Sequence, residues 1–149
     1  MKKIKALMVA FVMAGMTVVS CSSDDSSGPA PEITAKWNQT KTVVKIGNQS
    51  VTQKYKDNTD GCTKNYIEFA AANVFNDVVY FKQGGDCQES AAAPGTWTKS
   101  DKTLTITNGG LLSGTYEIAK LSGSALELKT QNNEGGITST TTIYFTKAK

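Results

Sequence analysis

The segment Thr103-Leu104-Thr105-Ile106-Thr107 alternates strictly between threonine and a large aliphatic residue. Successive side chains of a β-strand point to opposite faces, so this alternation places both aliphatic side chains on one face and the hydroxyls on the other. A strand with one apolar and one polar face is typical of an antiparallel sheet that is buried on one side only. The segment therefore predicts a half-buried strand in an all-β fold.

The same period of two recurs on both sides of this strand. Turn-forming pairs such as Gly47-Asn48, Gly84-Gly85 and Pro94-Gly95 separate the alternating segments at short intervals. The stretch around 89–93 is predicted to be a loop or a short helix, which Pro94 would end. We predict eight or nine strands, near residues 34–46, 49–56, 64–70, 74–83, 95–99, 102–107, 112–120, 125–131 and 137–147.

Short connections favour antiparallel pairing between strands that are neighbours in the sequence, which gives a meander. A meander of about eight strands removes its two unpaired edges when it closes into a barrel. The interior of a barrel of that size is filled by side chains or holds one small ligand. We therefore predict a small closed barrel over residues 33–149, and a two-sheet β-sandwich is the alternative.

The first 20 residues have the features of a secretory signal peptide. Three of the first five residues are lysines, and the uncharged run over 6–19 is shorter than the roughly 20 residues of a membrane span. The run ends in Val18-Val19-Ser20-Cys21, which resembles a bacterial lipobox. That resemblance implies cleavage after Ser20 and diacylation of Cys21. The alternative is an ordinary signal peptide with a cysteine nearby.

Residues 21–32 are predicted to be a tether between the lipid and the domain. Serine, aspartate and glycine dominate this stretch, and Pro29 and Pro31 prevent helix formation. The cluster Ser23-Asp24-Asp25 resembles the acidic signals that direct some bacterial lipoproteins to the cell surface, and a merely soluble linker is the alternative. We expect a lipoprotein of the bacterial outer membrane, on its periplasmic or cell-surface face.

The sequence contains no histidine and no arginine. The commonest general base, histidine-dependent nucleophile pairs and imidazole zinc sites are therefore missing, as are bidentate arginine clamps. Without the signal, 13 basic residues balance 13 acidic ones, which gives no basic face for nucleic acid. We expect a protein that is not an enzyme, is a monomer, and has no cofactor, no metal and no nucleic-acid partner.

The three cysteines divide into one and two. With Cys21 assigned to the lipid, Cys62 and Cys87 remain as a pair. In an exported chain such a pair predicts a disulfide. Two unrelated buried thiols are the alternative.

Several motifs follow one another in a particular order across residues 33–147. They are Ile33-Thr34-Ala35-Lys36-Trp37, Asp60-Gly61-Cys62, Ile67-Glu68-Phe69, Cys87, Gly95-Thr96-Trp97, Tyr116-Glu117-Ile118 and Leu126-Glu127-Leu128. This order resembles the lipocalin-like domain of small bacterial lipoproteins, and the resemblance implies a calycin-type barrel with a ligand-binding role. In lipocalins the early tryptophan follows a Gly-x pattern, whereas here Ala35 takes the place of that glycine.

Trp37, Trp97 and Tyr116 are the candidate ligand-binding residues, because aromatic faces bind apolar surfaces. The alternative for these side chains is packing in the core or at the end of the barrel. The corresponding functional hypothesis is a membrane-anchored barrel that binds a small apolar or amphipathic ligand. The alternative is a protein-interaction or inhibitor module of the cell envelope with a filled barrel.

Replacement of the lipobox cysteine tests the predicted anchor. We expect Cys21→Ser to give a soluble or uncleaved protein, because serine has no thiol for the lipid to join. Membrane fractionation together with the apparent mass of the product measures this outcome. Continued anchoring of the cleaved variant would contradict the assignment.

Overall fold

A computed structural model describes residues 31–57 and 61–149. The predicted signal peptide, Cys21 and residues 21–30 of the predicted tether lie outside the described residues. Within those residues, no helix has both the length and the apolar character that a membrane crossing requires.

The described part of the chain contains ten β-strands and two single-turn 3-10 helices. The nine predicted strands are all present, and their observed ends lie within three residues of the predicted ones. The strands are β1 (Lys36–Ile46), β2 (Gln49–Lys54), β3 (Tyr66–Phe69), β4 (Val74–Gln83), β5 (Asp86–Ala91), β6 (Gly95–Ser100), β7 (Thr103–Thr107), β8 (Gly114–Leu121), β9 (Ala125–Glu134) and β10 (Ile137–Lys147). The 3-10 helices are Ala71–Asn73 and Gly110–Leu112.

The sheet closes on itself because β10 pairs with β1 along almost the whole of both strands. Trp37 lies opposite Lys147 at one end of this pairing, and Ile46 lies opposite Ser139 at the other. The ring of eight antiparallel strands runs β1-β3-β4-β6-β7-β8-β9-β10. The predicted closed barrel is therefore confirmed, and the sandwich alternative is wrong.

Two further strands extend the wall of the barrel at one end. β2 pairs with β1 over residues 41–46, whereas β3 pairs with β1 only at 36–37. β5 pairs with β4 over 78–83, whereas β6 pairs with β4 at 74–75. The extended end also carries the 3-10 helix Gly110–Leu112, and we call it the mouth. The opposite end, where Ile33 lies beside Trp37, is the base.

β5 corrects the prediction of a loop or short helix around 89–93. Its six residues are all exposed, so no apolar alternation marks it in the sequence. The strand forms because Gly84 and Gly85, both with positive φ, make the tight turn that folds it back onto β4.

The hydrophobic core fills the base half of the barrel. Leu104 and Ile106 of the alternating segment are buried, whereas Thr103 and Thr107 are exposed, as predicted. The largest fully buried side chains are Trp37, Phe69, Phe75, Leu104, Ile106, Leu126 and Leu128. These apolar side chains from five strands therefore meet inside the ring, as close packing in a small barrel requires.

The disulfide between Cys62 and Cys87 is confirmed. It joins the long connection between β2 and β3 to β5, with 5.6 Å between the two Cα atoms. The two cysteines are 25 residues apart in sequence. Closing a loop of that length stabilises the fold by about 3 kcal/mol in the chain-entropy description.

Gly95 allows a close approach of two backbones in the ring. A Cβ atom at this position would lie 2.5 Å from the carbonyl oxygen of Thr107 and 2.8 Å from that of Asn108. Because backbone atoms cannot move aside cheaply, we expect Gly95→Ala to lower the free energy of unfolding by about 1–3 kcal/mol. Urea denaturation of the wild type and the variant measures the change.

Gly123→Ala is the matched control for this substitution. Its added Cβ would meet no atom within 4 Å, and its φ is not in the left-handed region. Equal loss of stability in both variants would contradict the steric explanation.

Candidate ligand-binding site

The three aromatic residues predicted to bind ligand lie in the packed part of the barrel. Trp37 is 1% exposed, and its indole Nε1 donates a hydrogen bond to the Ile33 carbonyl at 2.9 Å. Trp97 packs edge-on against Phe69, with 5.6 Å between ring centroids. Tyr116 is buried, and its hydroxyl donates to the Leu112 carbonyl at 3.2 Å. These positions match the packing alternative, and a ligand-binding role for the three residues stays a prediction.

A cavity of about 330 Å³ lies between the packed core and the mouth. Its volume is at the lower end of the range of about 300–1,000 Å³ that is usual for small-molecule sites. Six of the residues that line it come from five parts of the chain: Gln39, Tyr55, Ile67, Asp77, Val79 and Leu112. None of the three predicted aromatic residues lines it.

The strand period explains why these side chains face the cavity. Asp77 and Val79 follow the buried Phe75 at intervals of two on β4, and Gln39 follows the buried Trp37 in the same way on β1. The inward face of these strands is therefore apolar near the base and becomes polar one step higher. This change of polarity marks the floor of the cavity.

The 3-10 helix between β7 and β8 forms one side of the cavity at the mouth. Gly110 has φ +59°, a conformation that glycine adopts without strain. Leu112 turns inward and is 8% exposed, whereas Leu111 points to solvent and is fully exposed. The helix therefore supplies two apolar side chains to the cavity lining, with Leu111 at the rim.

The large apolar side chains that remain exposed in the described residues concentrate at the mouth. The strand register puts five of them on the inward face of their strands, and the sixth is Leu111. We call this set the apolar rim: Ile46, Val51, Val79, Phe81, Leu111 and Ile137. Exposed apolar groups gathered at one place are typical of a surface that binds a ligand, a protein or a membrane.

Asn65 is the one buried polar residue in the described parts of the chain, and it holds the wall of the cavity together. Its side-chain oxygen accepts a hydrogen bond from the Tyr80 backbone N–H at 2.7 Å, and its amide nitrogen donates to the Tyr55 hydroxyl at 3.1 Å. Its backbone N–H donates to the Asp57 carboxylate, and its carbonyl accepts from the Asn38 side chain, both at 2.8 Å. Asn65 thus completes the ladder where β3 leaves β4.

Asp77 is the acidic residue among those that line the cavity. Partial burial raises the pKa of its carboxyl group above the ordinary value. In residues 31–57 and 61–149, no hydrogen bond or ion pair reaches this carboxylate. The cavity therefore combines apolar walls with an acidic group that has no protein partner among those residues.

A second groove, of about 520 Å³, lies on the outside of the barrel wall. Its lining includes Lys36, Lys64, Lys147 and Lys149 together with Tyr66. The ammonium group of Lys36 lies 4.4 Å from the centroid of the Tyr66 ring. Such solvated cations bind anions weakly because water and salt screen them. The cavity at the mouth is the better candidate for a selective site.

Comparison with known proteins identifies the family. Residues 32–128 match the lipocalin-like domain family, and the chain belongs to it. No curated protein matches the chain. Among solved structures, the chain is similar to the deswapped triple mutant of bovine odorant binding protein. The identity is 19% and the TM-score 0.38, over 78% of this chain and 74% of that one. The family generally consists of binding proteins rather than enzymes.

Asp77 and the other residues that line the cavity are not among the ligand-binding residues predicted from the sequence. One signal was present: within Val74-Phe75-Asn76-Asp77-Val78-Val79, an aspartate occupies the apolar phase of the strand. A charged residue on the inward face of a barrel strand indicates either a polar cavity or the level at which the packed core ends.

Replacement of Asn65 tests its role in the wall. We expect Asn65→Leu to lower the free energy of unfolding by about 1–3 kcal/mol, because the partly buried Tyr80 N–H loses its acceptor. Chemical denaturation measures the loss. The exposed Asn133→Leu on β9 is the matched control and should change stability by no more than about 0.5 kcal/mol. Equal effects would contradict the role assigned to Asn65.

Proposed function

We propose that this lipocalin-like protein binds a small apolar or amphipathic molecule in the cavity at the mouth of its barrel. The observation that carries the proposal is the cavity itself, about 330 Å³ between the packed core and the apolar rim. Ile67, Val79 and Leu112 contribute apolar side chains to its lining. A ligand there would remove these side chains from water, which is the usual source of affinity for apolar molecules.

The size of the cavity limits the ligand. Each methylene group that leaves water contributes about 0.8 kcal/mol, so a chain of about eight carbons would contribute on the order of 6 kcal/mol before the cost of association. The packed base leaves little room for a longer molecule to pass deeper. A compact or medium-chain ligand therefore fits better than a long lipid.

We further propose that the barrel is anchored to the bacterial outer membrane through lipid on Cys21, facing the periplasm or the cell surface. The sequence pattern around Val18-Val19-Ser20-Cys21 supports the anchor. The described chain enters the barrel at its base, where Ile33 accepts the hydrogen bond from Trp37. A tether of residues 21–32 would then join the barrel at the end opposite the mouth.

One observation favours the alternative of a protein-interaction module. Leu111 is fully exposed and Phe81 is 41% exposed, although both are large and apolar. A protein partner could cover them together with the rest of the apolar rim. A ligand in the cavity accounts for Val79 and Leu111, which line it, but leaves Phe81 in water.

Filling the cavity tests the proposed function. We expect Val79→Trp to weaken binding of the neutral fluorescent probe N-phenyl-1-naphthylamine at least tenfold, because the indole would occupy the volume that the ligand needs. Fluorescence titration of the purified full chain measures the affinity.

Thr52→Trp is the matched control, because Thr52 is exposed on the outward face of β2 and does not line the cavity. It should leave the affinity unchanged. Equal binding by the wild type and both variants would contradict the proposed site.

A further inference from the structure

We propose that Asp77 makes the cavity selective for ligands with a protonated amine. The inference rests on the proposed function, because it names the chemistry of the molecule that the same cavity binds. The observation behind it is a carboxylate that lines the cavity beside apolar side chains and has no protein partner in the described residues.

The backbone of Asp77 is fixed on both sides, so its side chain has a defined direction. On one side Asp77 lies opposite Ile67 in the pairing of β3 with β4. On the other side its carbonyl accepts a hydrogen bond from the Ala92 N–H at 3.1 Å. With the inward Phe75 two residues before it and Val79 two residues after it, the side chain of Asp77 points into the cavity.

The neighbouring polar groups do not neutralise this carboxylate. The side-chain nitrogen of Gln39 donates to the Thr42 hydroxyl at 3.1 Å, and the Tyr55 hydroxyl accepts from Asn65. No lysine is among the residues that line the cavity. Buried polar groups in proteins normally have hydrogen-bond partners, so this half-buried carboxylate, which has none in the described residues, is available to bond a ligand.

An ammonium group is the ligand chemistry that fits best. It offers three donors and the opposite charge, and hydrogen bonds between ionised groups are stronger than those between neutral ones. Ile67, Val79 and Leu112 would contact the hydrocarbon part. Burial raises the pKa of the Asp77 carboxyl group because it disfavours the charged form. A bound cation would favour the charged form and so oppose this effect. A carboxylate ligand would be repelled at the same place.

Three probes with the same alkyl chain separate the contribution of the head group. We expect n-octylamine to bind the full chain at least tenfold more tightly than 1-octanol or octanoate, in displacement of N-phenyl-1-naphthylamine at neutral pH. We expect Asp77→Asn, which keeps the shape of the side chain, to lower the affinity for octylamine at least tenfold. The affinity for 1-octanol should stay within twofold.

Asp101→Asn is the matched control, since it removes the same charge in the turn between β6 and β7, outside the cavity lining. Asp101 has φ +50°, which asparagine tolerates well. It should bind octylamine as the wild type does. Thermal melting of both variants shows whether each is folded.

Two results would overturn the inference while the proposed function stands. One is 1-octanol or octanoate binding as tightly as octylamine, which would mean that Asp77 selects no cation. The other is an unchanged octylamine affinity in folded Asp77→Asn. A wild-type protein that binds neither the fluorescent probe nor any of the three octyl compounds would overturn the proposed function and the inference together.

Discussion

The pairing of β10 with β1 is the constraint on which the rest of the structure depends. Closure gives every strand of the ring an inside and an outside, so the period of two in the sequence becomes a division between core and solvent. Near the base, the inward positions carry large apolar residues such as Trp37, Phe75 and Leu128, and together they fill the ring. Higher up, the same inward positions carry Gln39 and Asp77, and there the packed interior ends.

The cavity exists because β1 and β4 each pair, along one edge, with two separate short strands and not with one continuous strand. β2 and β3 follow one another along β1, and β5 and β6 follow one another along β4. Just before β3 begins, the side-chain oxygen of Asn65 accepts the hydrogen bond of the Tyr80 N–H in place of a backbone carbonyl. The disulfide then ties the connection between β2 and β3 to β5. The mouth thus has walls that are held by specific contacts and are not drawn together by an apolar core.

The sequence predicts the strands well because their signal is local. The ends of β4 and β10 agree with prediction at every position, and the alternation at Leu104 and Ile106 gives the correct buried face. β5 was missed because its stability comes from pairing with β4 and not from apolar residues of its own. The cavity could not be predicted from the sequence for a similar reason. It depends on strand register, which brings β4 next to β3 and to a helix more than 30 residues away in the chain.

The position of Ile33 beside Trp37 affects how a ligand would reach the cavity. The entry point of the described chain and the opening of the barrel are at opposite poles, so, with the proposed anchor, a ligand from the bilayer would not pass along the tether into the opening. It would have to cross water, either dissolved as a monomer or delivered by another carrier. That route suits short, water-soluble amphiphiles, whose residence in the aqueous phase costs little, and it disfavours long acyl chains.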